Sequence, residues 1–263
     1  MLQAQLRGKL NRAEENMEDL LTSNVFGSIK YVPYEDGLLP LLANCQDENG
    51  DKLTGLNQPV LNVHYAFWPR LREFSCEECE PDLLITIQYA NGQRVLILVE
   101  SKYLSDKSSE ANDKEAPKDQ LAREWDNLIL KANQEHAKPI LLYVTADFGY
   151  PRQSIDESRK EYLEKRKKGM SVFWLSWRKL PTLFLDNRQE ILNDLIGVLK
   201  YQQLTFFEGI TIPEASSIKW SFEAIINWDW TLNSESSIRW QFKANKNYNW
   251  QYQANLVEWS FKN

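Results

Sequence analysis

The sequence predicts an α/β fold: a mixed central sheet flanked by helices over residues 1–209, then a tryptophan-rich antiparallel β-meander over 210–263. Three observations carry this. Apolar runs of strand length alternate with amphipathic helical stretches from residue 82 to residue 200. Asn91-Gly92 joins two of those runs, and that dipeptide is the strongest short-range hairpin signal. After Gly209 the composition changes abruptly, with six tryptophans and no glycine in the last 54 residues.

Residues 10–22 read as an amphipathic helix, because Leu10, Ala13, Met17, Leu20 and Leu21 recur at three- and four-residue spacing. Prolines and glycines break up residues 24–80, where 29–34 and 60–67 are the plausible strands. Leu83–Tyr89 and Arg94–Glu100 are apolar strands, and Leu104–Pro117 is a polar loop beside their ends. A helix follows at 118–135, with Leu121, Trp125, Leu128 and Ile129 on one face. The run Ile140–Val144 is a fully buried strand. A charged helix over 154–168, a strand at Ser171–Leu175 and an amphipathic helix over 187–200 complete the core.

The tail repeats with a period of 20 residues. Ser216-Ser217-Ile218-Lys219-Trp220-Ser221-Phe222 recurs as Ser236-Ser237-Ile238-Arg239-Trp240-Gln241-Phe242. Trp220, Phe222, Ala224, Ile226, Trp228 and Trp230 share one parity, which is the period of a strand. Each repeat is then a hairpin, turning near 224–227 and 244–247. Its aromatic face must be covered. It packs on the core, closes on itself or forms a homodimer interface; alternatively it offers a platform to bases or to a partner protein.

The composition, 43% hydrophobic and 26% charged, is that of a globular chain with no apolar run near the ~20 residues that span a bilayer. Met1–Leu10 lacks the apolar stretch of a secretion signal, and three cysteines are too few for a disulfide framework. Both point to the cytoplasm. A net charge of −6 argues against a protein that coats nucleic acid passively, but not against a nuclease that uses a bound cation. Arg159, Lys160, Lys165, Arg166, Lys167 and Lys168 are either a basic patch or a solvated helix face.

The chemistry concentrates at the hairpin. Asp82 sits at the mouth of the first strand, and Glu100 and Lys102 sit at the end of the second. The turn brings the three together. Both strands are apolar at nearly every position, so a charged trio at their ends is costly unless it is used. Two carboxylates can hold a divalent metal, with the Ser101 carbonyl as a further ligand. Lys102 leaves the same strand face as Glu100 and can orient or help deprotonate water, or neutralise charge. Cys76-Glu77-Glu78-Cys79 lacks two further zinc ligands unless Cys45, His64 or His136 joins it. With two histidines, no Ser-His-Asp or Cys-His arrangement is persuasive, and the absence of a Gly-rich phosphate loop argues against ATP use.

This arrangement resembles the PD-(D/E)XK nuclease superfamily, which has the restriction-endonuclease-like fold. Pro81-Asp82 matches its first motif and Glu100-Ser101-Lys102 its E-x-K motif. Glu18-Asp19-Leu20-Leu21-Thr22 lies where the family often carries a helix acid. Gln120-Leu121-Ala122-Arg123-Glu124-Trp125 opens the helix where some members carry a functional glutamine. The resemblance covers roughly residues 10–200. It implies that Asp82, Glu100 and Ser101 hold Mg²⁺, with Mn²⁺ as a substitute, and that Lys102 is the catalytic lysine. Glu18 is the implied helix acid and further metal ligand, with Asp19 as its rival. Gln120 touches substrate or metal-bound water, or is simply a helix N-terminal residue. Arg123, Lys107 and Lys114 are candidate phosphate contacts. The implied activity is a Mg²⁺-dependent deoxyribonuclease, of the kind that serves phage defence or mobile elements. The competing expectation is a non-catalytic binding component that assembles through the tryptophan-rich sheet.

Overall fold

The computed structural model describes residues 18–71, 78–103, 116–185 and 187–206, together with two short strands at 221–222 and 248–249. The chain divides into two compact units, Met1–Phe207 and Glu208–Asn263.

The first unit is an α/β layer structure. Its elements run α1 (Glu18–Ile29), α2 (Leu38–Ala43), β1 (Val60–Phe67), β2 (Leu83–Tyr89), β3 (Arg94–Lys102), α3 (Gln120–Gln134), β4 (Lys138–Thr145), α4 (Arg152–Arg166), β5 (Val172–Ser176), a 3-10 turn (Trp177–Lys179), α5 (Leu180–Leu183) and α6 (Glu190–Tyr201). The five strands form one mixed sheet in the order β1-β2-β3-β4-β5. β1, β2 and β3 pair antiparallel, and β3, β4 and β5 pair parallel. The parallel half arises because α3 and α4 each return the chain to the same end of the sheet.

The β2–β3 hairpin closes at Asn91-Gly92. Gly92 takes φ +84°, a conformation glycine adopts without steric cost, and Asn91 Oδ1 accepts from the Gln93 N–H at 2.9 Å. The register sets Leu83 opposite Val99 and Leu84 opposite Leu98. Asp82 therefore meets Glu100 one step further along. Nearly all of β3 is buried, as its apolar sequence requires.

Each face of the sheet has its own core. Leu83, Ile85, Ile97 and Val99 pack with α1, α2 and α6 on one side. Leu84, Leu96 and Leu98 pack with Leu121, Trp125 and Leu128 of α3 and Ile155 and Tyr162 of α4 on the other. The free edge of β5 is covered by a bridge in which Gln46 and Trp174 exchange backbone hydrogen bonds of 3.0 and 2.8 Å. Among the described residues, no helix is long and apolar enough to cross a membrane.

Two expectations change. Residues 29–34 are not a strand: α1 runs on to Ile29 and the chain then turns. The helical stripe continues past residue 22 through Val25, Phe26 and Ile29, all fully buried. Gly37 makes the turn possible, because a Cβ there would lie 2.5 Å from Val32 Cγ2. The short α2 is the other change, and it tolerates Pro40 because the first helical turn has no intrahelical partner for that N–H. The start of the helix expected at 10–22, and most of the 104–117 loop, lie outside the described residues.

In the second unit, Ser221 pairs with Asn249 and Phe222 with Tyr248, antiparallel. This links strands from two different repeats. The hairpin turns expected near 224–227 and 244–247 lie outside the described residues.

Phe26 is fully buried and meets the Trp177 ring edge-on at 6.1 Å. Phe26→Ala is expected to cost about 3–5 kcal/mol in urea unfolding, whereas Leu130→Ala, at a site 40% exposed, should stay within about 0.5 kcal/mol. A loss below about 1 kcal/mol for Phe26→Ala would show that α1 is not part of the core.

Candidate metal centre

Three elements bring four charged side chains together at one end of the sheet. The residue just before β2 is Asp82, the end of β3 supplies Glu100 and Lys102, and the first turn of α1 supplies Glu18. Carboxylate oxygens of Glu18, Asp82 and Glu100 lie within 4.8 Å of one another. A hard cation with oxygen ligands at about 2.0–2.6 Å spans such a separation. Among the described residues, this is the one group of three or more ligand-type side chains so gathered.

Lys102 Nζ lies 2.6 Å from Glu100 Oε1 and 3.0 Å from Glu18 Oε1. The other oxygen of Glu18 accepts the Tyr103 N–H at 2.9 Å. Asp19 is exposed, so the rotation of α1 turns Glu18 toward the strands and Asp19 away. Gln120, first residue of α3, donates from Nε2 to Glu100 Oε1 at 2.5 Å. It is thus a partner of the strand acid and not a bystander at the helix terminus. The helix itself is capped by Asp119, whose carboxylate accepts from the Ala122 N–H.

A buried chain of hydroxyls fixes Asp82. Its Oδ2 accepts from both the Ser101 N–H at 2.8 Å and the Ser101 Oγ–H at 2.6 Å. Ser101 Oγ is in turn 2.6 Å from Thr22 Oγ1 on α1, and both hydroxyl residues are fully buried. Ser101 therefore acts on Asp82 through its N–H and side chain, in addition to the carbonyl that sequence reasoning singled out.

The electrostatics are those of acids short of positive charge. Burial pushes the Glu100 carboxyl up to about 7, and Asp82 adds to the rise. Burial also raises Asp82, with the Ser101 hydrogen bonds opposing it. Burial pulls the Lys102 ammonium down, but Glu100 and Glu18 more than offset this and hold it above the usual lysine range. Lys102 is therefore charged here. Glu124, four residues after Gln120 on α3, also reaches Glu100. Burial first, and Glu100 second, raise Glu124 well above the usual carboxylate range. A hydrogen bond between two carboxyl groups needs one proton, which the Glu100–Glu124 pair shares.

The donor set fits a divalent cation. Three hard oxygen ligands converge, two from nearly fully buried side chains, and one ammonium offsets only part of their charge.

The remaining candidates are distributed elsewhere. Arg123 is buried and donates to the Lys118 carbonyl, so it is not presented to a phosphate. Lys107 and Lys114 lie outside the described residues. In the basic patch, Arg159 pairs with Glu48 and Arg166 with Asp126, each at 2.6 Å. Cys76 lies outside the described residues, and Cys79 and Cys45 are buried free thiols. Sequence reasoning missed Thr22 and Glu124. The signal for Glu124 was its four-residue spacing from Gln120, which puts both on one helix face.

No protein-family model matches the chain, and no curated protein matches it. Among solved structures the chain is similar to Pyrococcus furiosus SfsA in complex with Ca²⁺, with TM-score 0.23 and 21% identity over 43% of this chain and 48% of that one. The chain thus spans about half the length of that protein. An overlap this small assigns neither a fold family nor a function.

Asp82→Asn keeps the acceptor for Ser101 and removes one buried charge. Without metal, this variant should melt at the same temperature as the parent or higher. Millimolar Mg²⁺ or Mn²⁺ should raise the melting temperature of the parent, by about 2.7 kcal/mol of stability at 100 times the dissociation constant. The variant should lose that rise. An equal rise in both proteins would remove Asp82 from the centre.

Proposed function

We propose that the chain is a divalent-metal-dependent nuclease that hydrolyses phosphodiester bonds in DNA, with the restriction-endonuclease-like core of the PD-(D/E)XK superfamily. The observation that carries this reading is the convergence of Glu18, Asp82 and Glu100 around the Lys102 ammonium. Asp82 and Glu100, with Glu18 and the Ser101 carbonyl, would hold Mg²⁺, for which Mn²⁺ can substitute. A cation held there polarises a phosphoryl oxygen and lowers the pKa of water.

The chain's own residues do the rest. Asp82 is held by Ser101, and Ser101 by Thr22, so the acid is fixed before substrate arrives. Gln120 and Glu124 steady Glu100 from the α3 side. Lys102, kept charged by two acids, offers its N–H groups to the attacking water and to the phosphoryl oxygens as negative charge builds on phosphorus. Its protonated state favours charge neutralisation over the role of general base. A nuclease core joined to a tryptophan-rich segment suits a defence or mobile-element effector, with 210–263 as a docking or oligomerisation module.

Incubation with supercoiled, linear and single-stranded DNA and with RNA, in Mg²⁺, Mn²⁺ or EDTA, tests the proposal. Cleavage of DNA is expected with metal and none with EDTA. Asp82→Ala, Glu100→Ala and Lys102→Ala should each lower the rate at least about 100-fold, and Gln120→Ala about tenfold. Cleavage that survives the first three substitutions would sink the assignment. Light scattering on the full chain addresses the tail. If the tail self-associates, Trp220→Ser with Trp240→Ser should reduce the mass, and an unchanged single-chain mass would contradict it.

A further inference from the structure

The parallel half of the sheet ends where the acids gather. Lys102 pairs with Thr145, and Thr145 with Ser176, so the ends of β3, β4 and β5 are neighbours. At about 4.8 Å per strand, the Ser176 backbone stands on the order of 10 Å from that of Lys102. Two links tie the segment after β5 to the acid centre. Trp177 Nε1 donates to the Lys102 carbonyl at 3.2 Å. Arg178, the next residue, sets its charge near Tyr103: burial raises that phenol, and Arg178 opposes the rise. Tyr103 follows Lys102 and gives its own N–H to Glu18 at 2.9 Å. Tyr103 and Ala146 pack with the α1 and α6 core, so Arg178 lies on the side from which Glu18 arrives.

Arg178 is held by main chain and not by an acid. Its Nε donates to the Ala146 carbonyl at 2.8 Å, and its Nη1 to the carbonyls of Gln203 at 2.7 Å and Thr205 at 3.3 Å. Those bonds use three of the five guanidinium N–H groups. The two on Nη2 have no partner among the described residues, and Arg178 forms no ion pair there. Asp147, beside Ala146, accepts instead from Thr145 Oγ1 at 2.7 Å. By contrast Arg70, Arg94, Arg159 and Arg166 each face a carboxylate. On a chain of net charge −6, a guanidinium fixed by carbonyls alone keeps its charge for another anion.

Phe148 completes the arrangement. It sits in the loop after β4 and is 69% exposed. Its ring centroid lies 4.1 Å from Arg178 Cζ, and it meets Phe206 edge-on at 6.2 Å. Stacking on a ring holds the planar guanidinium in one orientation and leaves its edge to an anion. Clamping the segment after α6 accounts for the carbonyl bonds to Gln203 and Thr205. It does not account for an open Nη2 beside an exposed ring.

We infer that Arg178, oriented by Phe148, binds a backbone phosphate of the substrate close to the bond being cut. This rests on the nuclease reading. In duplex DNA each strand carries a phosphate every ~3.4 Å of axis, so an anchor on the order of 10 Å from Lys102 falls about three phosphates from the metal centre. Charge-assisted bonds from the two Nη2 N–H groups to phosphate oxygens are of the strong kind. The contact carries no sequence information. It fixes the position of the strand on the Asp82–Glu100 centre.

Fluorescence anisotropy with a labelled DNA duplex, in EDTA, measures binding apart from cleavage. The proteins are the parent, Arg178→Gln, Arg178→Lys, Phe148→Glu and, as a control, Leu163→Glu on α4, where the side chain is 54% exposed. Each is first shown to keep the parent's Mg²⁺-induced rise in melting temperature. Arg178→Gln should weaken binding by about 10- to 100-fold and lower the salt slope by about one. Arg178→Lys keeps the charge, so it should keep the slope and recover only part of the affinity. Phe148→Glu sets a carboxylate beside the guanidinium at an exposed site. It should reproduce the loss with the melting temperature little changed, and it carries the test if Arg178→Gln fails to fold. Leu163→Glu adds the same charge elsewhere and should do neither. In Mg²⁺, Arg178→Gln should raise KM and leave kcat nearly unchanged, since a flanking contact is made equally in ground and transition states. Unchanged affinity and slope in Arg178→Gln and Phe148→Glu, or no measurable binding by the parent, would overturn the anchor and leave the nuclease reading to the cleavage assay. Absence of metal-dependent cleavage by the parent would remove the nuclease reading, and the anisotropy series would still decide whether Arg178 binds phosphate.

Discussion

The register between β2 and β3 governs the rest of the molecule. Pairing Leu83 with Val99 forces Asp82 and Glu100 into adjacent, nearly water-free positions. Burial at that position resists ionisation and the neighbouring Asp82 charge adds to it, so Glu100 is driven up to about 7. A slip of one residue would turn every side chain of the hairpin to the opposite face. The tight turn at Asn91-Gly92 fixes that register and both faces of the strands are buried, so the hairpin itself imposes the electrostatic conflict at the sheet end.

Other elements meet this conflict from both faces. α1 arrives from one side with Glu18 and Thr22, and α3 from the other with Gln120 and Glu124. Lys102 is the ammonium that draws Glu18 and Glu100 together. The arrangement is rigid because its supports are buried: Thr22 and Ser101 are fully inaccessible, and the Lys102 carbonyl accepts from Trp177 Nε1 at 3.2 Å. Stability and chemistry pull apart here, since acids that destabilise the metal-free fold are the ones a cation would use.

The sequence made the hairpin legible because three signals coincide there: two strand-length apolar runs, an Asn-Gly turn and charges at the strand ends. Glu18 was legible only as one of two neighbours, because helix rotation is set by packing of Leu21, Val25 and Phe26 against the sheet. Thr22 was hidden, since a threonine on an apolar helix face is indistinguishable from a neutral filler until its partner on β3 is known. Ile29, Tyr31 and Val32 imitate a strand locally, and the tertiary burial of Ile29 as the last turn of α1 overrides them.

The central claim is that Glu18, Asp82 and Glu100 form a cation site. A crystal grown in Mn²⁺ and measured at an anomalous wavelength tests it most directly. The account predicts one strong anomalous peak at about 2.0–2.6 Å from carboxylate oxygens of Asp82 and Glu100, with Glu18 in or next to the coordination sphere. Well-ordered Asp82 and Glu100 side chains with no peak between them, or Mn²⁺ held only elsewhere, would contradict it.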